Sequence, residues 1–187
     1  LDLGVDIVVA SDTKAPGGHS DLLMGHVASR NDELLGRIRD WRMYSGSIPG
    51  PAEAWLLHRG LQTLEARFDR MCHSAEIIAQ RLQAHKAIST LRYPGLPGDA
   101  GYTLAKAQML RFGFLIHATF AGAKQAERFI DGCQMLQPAT SFGGVHSSAE
   151  RRLRWGDDVP EGAVRISIGC EPVEELWASM ENALDAL

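Results

Sequence analysis

The chain has 187 residues, 45% of them hydrophobic and 22% charged, with a formal net charge of −4 and a pI near 6.0. That balance suits a globular protein of one large domain or parts of two and excludes a disordered tail. No Lys/Arg cluster is interleaved with aromatics, so no nucleic-acid partner is expected, and no apolar run approaches the roughly 18 residues of a membrane span.

The chain opens on Leu1-Asp2-Leu3-Gly4, with no initiator Met, and runs straight into an apolar strand, which reads as a chain cut inside a domain. No charged segment leads into an apolar core with a small-residue cleavage site. Cys72, Cys133 and Cys170 are odd in number and widely spaced, like small buried hydrophobes rather than a disulfide frame. The expected compartment is the cytoplasm.

Asp6 to Ala10 reads as a short, fully buried parallel strand, because consecutive apolar residues without alternation suit a sheet covered on both faces. It leads into Ser11-Asp12-Thr13-Lys14 and then Gly17-Gly18-His19-Ser20-Asp21. A lysine at the mouth of a buried strand is a candidate Schiff-base amine, since burial or a nearby positive group lowers its pKa and makes it a nucleophile. Ser11 and Thr13 can each donate a hydroxyl proton to a phosphate oxygen, and the glycines admit close backbone approach. An amine for an aldehyde beside hydroxyls for a phosphate suits pyridoxal phosphate. Taken alone, the same four residues read first as ordinary turn and capping chemistry.

A second strand is expected over residues 23–28, followed by a helix capped near Asn31 and running to Arg42. Ser45 to Pro51 breaks it with small residues and two prolines. Residues 51–85 predict one long helix, with Leu57, Leu61, Leu64, Phe68, Met71, Ala75, Ile78 and Leu82 on one face. Gly60 inside it costs about 1 kcal/mol against Ala, which predicts close packing there.

Tyr93-Pro94-Gly95-Leu96-Pro97-Gly98 is a rigid loop. A helix at 102–108, a strand at 112–120 and a helix at 123–136 follow. The strand at 163–168 sets Val164, Ile166 and Ile168 against Arg165 and Ser167 on the other face. An amphipathic helix at 174–187 closes the chain. Arg165 can form a bidentate pair with a carboxylate, as an enzyme orienting an amino acid requires, or a plain surface salt bridge. Ser141-Phe142-Gly143-Gly144-Val145-His146 is either a site with accessible amides or a turn between strands. The histidines form no ligand-spaced pair with a carboxylate, so no metal is expected.

Five motifs then occur in order: Ser11-Asp12-Thr13-Lys14 with Gly18-His19-Ser20-Asp21, Arg59-Gly60-Leu61-Gln62-Thr63-Leu64, Tyr93-Pro94-Gly95-Leu96-Pro97, Ser141-Phe142-Gly143-Gly144 and Arg165-Ile166-Ser167-Ile168-Gly169-Cys170-Glu171. In this the chain resembles the Cys/Met-metabolism family of pyridoxal-phosphate enzymes, the trans-sulfuration enzymes, over essentially its whole length. Within that family the likeness points most to cystathionine γ-lyase. The resemblance implies an α/β chain with the type I, aminotransferase-like fold, comprising the end of the large domain (residues 1–70) and a small α+β C-terminal domain (residues 71–187). It implies Lys14 as the Schiff-base lysine, Ser11 and Thr13 on the phosphate, and Ser141 and Arg165 on the substrate α-carboxylate. It further implies a homotetramer of dimers.

The family is about twice as long, and its earlier half supplies a ring-stacking tyrosine, an aspartate for the pyridine nitrogen and a glycine-rich phosphate site. The expectation is therefore the C-terminal half of an enzyme, or a noncatalytic assembly fragment if it stands alone. Its chemistry would be γ-elimination of cystathionine to cysteine, 2-oxobutanoate and ammonia. The alternatives are cystathionine γ-synthase, methionine γ-lyase and O-acylhomoserine sulfhydrylase. Departures from the family pattern are Ala15-Pro16 after the lysine, His146 in place of a glutamate, and the stretch Ser147 to Trp155. They bear on the distal substrate pocket, where His146 is a candidate polar contact.

Overall fold

A computed structural model describes all of residues 1–187 and divides the chain into two units, residues 1–64 and 65–187. In the first, β1 (Ile7–Ser11) pairs antiparallel with β2 (Gly25–Ser29), from Ile7 opposite Ser29 to Ser11 opposite Gly25. This corrects the expected buried parallel strand. A parallel pair needs a crossover of a dozen or more residues, usually helical, whereas residues 12–24 fold back through successive turns. Within these residues β2 is the only neighbour of β1, and Val9 stays 73% exposed.

Helix α1 (Asp32–Ser45) begins where Asn31 Oδ1 accepts a hydrogen bond from the Leu34 amide at 3.1 Å and ends at Gly46, whose φ of 71° supplies the left-handed cap. Pro51 occupies the first turn of α2 (Pro51–Leu61). The single long helix expected from here is in fact two. The Gln62 amide tightens onto the Arg59 carbonyl and the Thr63 amide onto that of Gly60 (3.3 and 3.2 Å), and α3 (Leu64–Ala84) starts afresh. The apolar periodicity runs through the break, so the pattern alone does not reveal it.

The second unit is built on a five-stranded sheet of order β3-β4-β7-β6-β5. Its strands are β3 (Thr90–Arg92), β4 (Leu115–Thr119), β5 (Gln137–Pro138), β6 (Ser148–Arg151) and β7 (Ala163–Ser167). All neighbours are antiparallel except β5 and β6. The short strands β3, β5 and β6 carry no alternation that marks them in sequence. Helices α4 (Tyr102–Gln108), α5 (Ala123–Gly132) and α6 (Val173–Asp185) complete the unit.

Register sorts the sheet into two faces. Ile116, Ile166 and Ala149 stand opposite one another and are buried with Phe129 of α5 and Leu176 and Met180 of α6. One residue along each strand, Arg92, His117, Arg165 and Glu150 form a polar row on the other face. Alternation makes the two rows inseparable: the side chains that anchor the core dictate where Arg165 emerges.

Candidate active site

The turn after β1 holds the first set of predicted residues. Lys14 is half-buried; its amide donates to the Ser11 carbonyl at 3.2 Å and its carbonyl accepts from the Gly18 amide at 2.8 Å. The Gly17 amide closes on the Asp12 carbonyl at 2.8 Å, and Gly18 takes a φ of 76°. Backbone bonds on both sides therefore fix where the Lys14 side chain leaves the chain. The Thr13 hydroxyl donates to the Met24 carbonyl at 3.3 Å and accepts from the Met24 amide at 3.1 Å. A hydroxyl has one proton, so Thr13 must release Met24 to donate elsewhere, whereas Ser11 lies exposed at the strand end.

Asp12, between the two hydroxyls, was not anticipated. It is 1% exposed, Oδ1 lies 2.8 Å from His26 Nδ1 across the hairpin, and Oδ2 is buried without a hydrogen-bond partner. Only the pairing of β1 with β2 brings His26 to it. The turn is also tightly packed: a Cβ on Gly17 would lie 2.7 Å from the Asp12 carbonyl oxygen, and one on Gly60 would lie 2.6 Å from that of Gly17. A half-buried primary amine, hydroxyls one and three residues before it, and a turn with no room for added Cβ atoms fit an aldehyde cofactor bearing a phosphate.

The second set lies in the other unit. Arg165 is partly buried on β7; its Nη2 donates to the Thr140 carbonyl, and its guanidinium lies over the Phe142 ring at 5.0 Å. Those contacts straddle Ser141 in the chain. Glu150, buried on β6, faces Arg165 across the strands at 3.7 Å and is paired more closely with Arg152, which also binds Asp157 at 2.7 Å. Burial first, and the Arg152 charge second, pull the Arg165 guanidinium below its usual pKa. Arg165 also lines a cleft of about 410 Å³ with Arg92, His117 and Arg152. Burial, with the Arg92 charge second, pushes the His117 imidazole below its ordinary value.

The Gly143 amide donates to Ser167 Oγ at 3.0 Å, so one of the two glycine amides read as accessible is committed within the fold. His146 is two-thirds exposed, its Nδ1 3.9 Å from Glu171 Oε1. Glu150 escaped the sequence reading, and Ser167 and Glu171 carry no role in it. Their signal is cross-strand register and a loop returning to β7, which no local spacing contains.

The description "Cys/Met metabolism PLP-dependent enzyme" matches residues 1–185. The chain belongs to this family. A Streptomyces coelicolor protein named "Putative cystathionine gamma-lyase" is 47% identical over 186 residues, covering 99% of this chain and 47% of that protein. An L-methionine gamma-lyase of Pseudomonas deceptionensis is 39% identical over 203 residues, covering 100% of this chain and 50% of its own length. The crystal structure of metB from Corynebacterium glutamicum superposes with a TM-score of 0.95 at 39% identity, over 99% of this chain and 50% of that one. The chain thus spans about half the length of the curated relatives it matches. Pyridoxal phosphate is the cofactor of the family, and the α/β fold class read from the motifs is the one the chain adopts. No helix is long and apolar enough to cross a membrane.

Proposed function

We propose that the parent protein is a carbon–sulfur lyase of sulfur amino-acid metabolism that converts cystathionine and water to cysteine, 2-oxobutanoate and ammonia by γ-elimination. The observation that carries this reading is the 47% identity, across essentially the whole chain, to the Streptomyces coelicolor protein named for cystathionine γ-lyase activity. Cystathionine γ-synthase, methionine γ-lyase and O-acylhomoserine sulfhydrylase are the competing activities; release of 2-oxobutanoate from cystathionine alone separates the lyase from the synthase. If the 187 residues stand alone, the competing reading is a noncatalytic fragment.

Lys14 is the residue proposed to hold the cofactor, with Ser11 and Thr13 donating to its phosphate. Bound pyridoxal phosphate supplies an electron sink for charge developing at the substrate Cα. With the cofactor bound, Lys14 would be the base that takes the Cα proton and then a proton from Cβ, whose removal leaves the electron pair that expels the γ-substituent. Arg165 pairs with the α-carboxylate, held from behind by the Thr140 carbonyl and flanked by the Phe142 ring, while Ser141 contributes a second contact to it. Seating that carboxylate in a partly buried position strengthens the pair. His146 is the proposed contact for the distal end of the substrate.

Self-association into a homotetramer of dimers is proposed for the intact protein. The decisive experiment is borohydride reduction of the full-length protein, followed by peptide mapping and a turnover assay. A cofactor adduct on Lys14, with turnover lost in Lys14→Ala, is the expected result. An adduct on another lysine, or retained turnover, overturns the assignment.

A further inference from the structure

The segment 140–147 runs beside β7 and is tied to it, and to the turn that follows it, at four successive points. Arg165 reaches the Thr140 carbonyl; Ser167 Oγ accepts from the Gly143 amide at 3.0 Å; and the Cys170 amide donates to the Val145 carbonyl at 2.7 Å. The fourth tie differs in kind. Glu171 Oε1 accepts from the Ser147 amide at 2.6 Å and Oε2 from the Ser147 hydroxyl at 2.8 Å, while Ser147 Oγ accepts from the Gly169 amide at 2.8 Å.

Ser147 has no solvent exposure and the Glu171 side chain only 13%. Both donors of Ser147 thus rest on one carboxylate. Charge-assisted hydrogen bonds of this kind are about twice as strong as neutral ones. Arg70 of α3 donates to the backbone carbonyl of Glu171 at 3.0 Å, which anchors the main chain from which that side chain projects. Gly169 completes the fit: a Cβ there would lie 2.6 Å from the Ser147 nitrogen and collide with the Val145 carbonyl.

We propose that Glu171 is a positioning residue that sets the register of segment 140–147 against β7, so that Ser141 and Arg165 address one substrate carboxylate. This rests on the carboxylate-binding role assigned above to those two residues. Glu171 does not touch the substrate; it acts through Ser147. Without its carboxylate, a buried N–H and a buried O–H lose their acceptor. The cheapest relief is for the segment to slide toward solvent, which carries Ser141 and the Thr140 carbonyl away from Arg165. The consequence is a loss of carboxylate affinity in particular, with the amine chemistry of Lys14 untouched.

The test uses the full-length holoenzyme and follows visible absorbance while titrating glycine, which has an amine and a carboxylate, or methylamine, which has only the amine. Glu171→Gln keeps an acceptor for the Ser147 amide but leaves the hydroxyl proton without one. It is expected to weaken glycine about tenfold, or ~1.4 kcal/mol, and to leave methylamine within about twofold. Ser147→Ala, which removes the hydroxyl alone, should show the same selectivity and decides the matter if Glu171→Gln does not fold. Equal weakening of both amines, or of neither, overturns the positioning role. Arg165→Ala is the separate arm: if it leaves glycine binding unchanged, the carboxylate assignment itself fails. A selective loss in Arg165→Ala without one in the other two variants defeats only the role of Glu171.

Discussion

Alanine at Gly60 pits helix propensity against packing next to the Lys14 turn. In an exposed helix interior, Gly to Ala stabilises by about 1 kcal/mol. At Gly60 the added Cβ would meet the Gly17 carbonyl oxygen at 2.6 Å, the Pro16 carbonyl oxygen at 2.8 Å and Gly17 Cα at 3.2 Å. All three are backbone atoms, so no side chain can swing aside, and overpacking of this kind costs roughly 1–3 kcal/mol. The steric term wins, for a net loss of about 1 kcal/mol. Relief must come from moving Pro16 and Gly17, whose turn begins at the Lys14 backbone, so cofactor retention should fall as well.

Gly36, inside α1, provides the control, because a Cβ there meets nothing within 4 Å. Gly36→Ala should stabilise by up to about 1 kcal/mol and leave the cofactor alone. Urea denaturation of the two full-length variants, with absorbance of retained cofactor after dialysis, reads both effects. If Gly60→Ala proves as stabilising as Gly36→Ala and holds cofactor like the wild type, the packing argument is wrong.

Tyr93 is 1% exposed and its hydroxyl donates to the Gly113 carbonyl at 3.0 Å, so Tyr93→Phe should cost about 1–3 kcal/mol in denaturation at neutral pH. Burial, above the charges of Cys72 and Glu76, pushes the phenol pKa up; its stabilising contribution is therefore whole below about pH 10 and lost as pH rises further. Tyr93→Phe should lack that alkaline slope. Asp99, chiefly through its hydrogen bond from Arg92 and also through that from the Gly101 amide, has a lowered pKa. Its contribution is full above about pH 4 and declines as pH falls through the folded-state value, so Asp99→Asn should flatten stability in acid titrations. His146→Glu should shift the turnover ratio of cystathionine to O-acyl-homoserine; an unchanged ratio removes His146 from substrate choice.

The chemistry was legible in sequence because it sits in short contiguous motifs. Ser11, Thr13 and Lys14 fall within four residues, and Arg165 follows from the alternation of Val164, Ile166 and Ile168. The cap at Asn31 and the proline at the start of α2 are likewise local: each rests on one residue's own geometry. What the sequence could not disclose depends on which strands become neighbours. The direction of β1, the pairing of Asp12 with His26 and the placing of Glu150 opposite Arg165 all arise between residues distant in the chain. Glu171 carries this furthest. It sits inside a recognised motif, yet its grip on Ser147 exists only once β7 and segment 140–147 lie side by side. Local pattern specifies which atoms are available for chemistry, and tertiary pairing decides which of them meet.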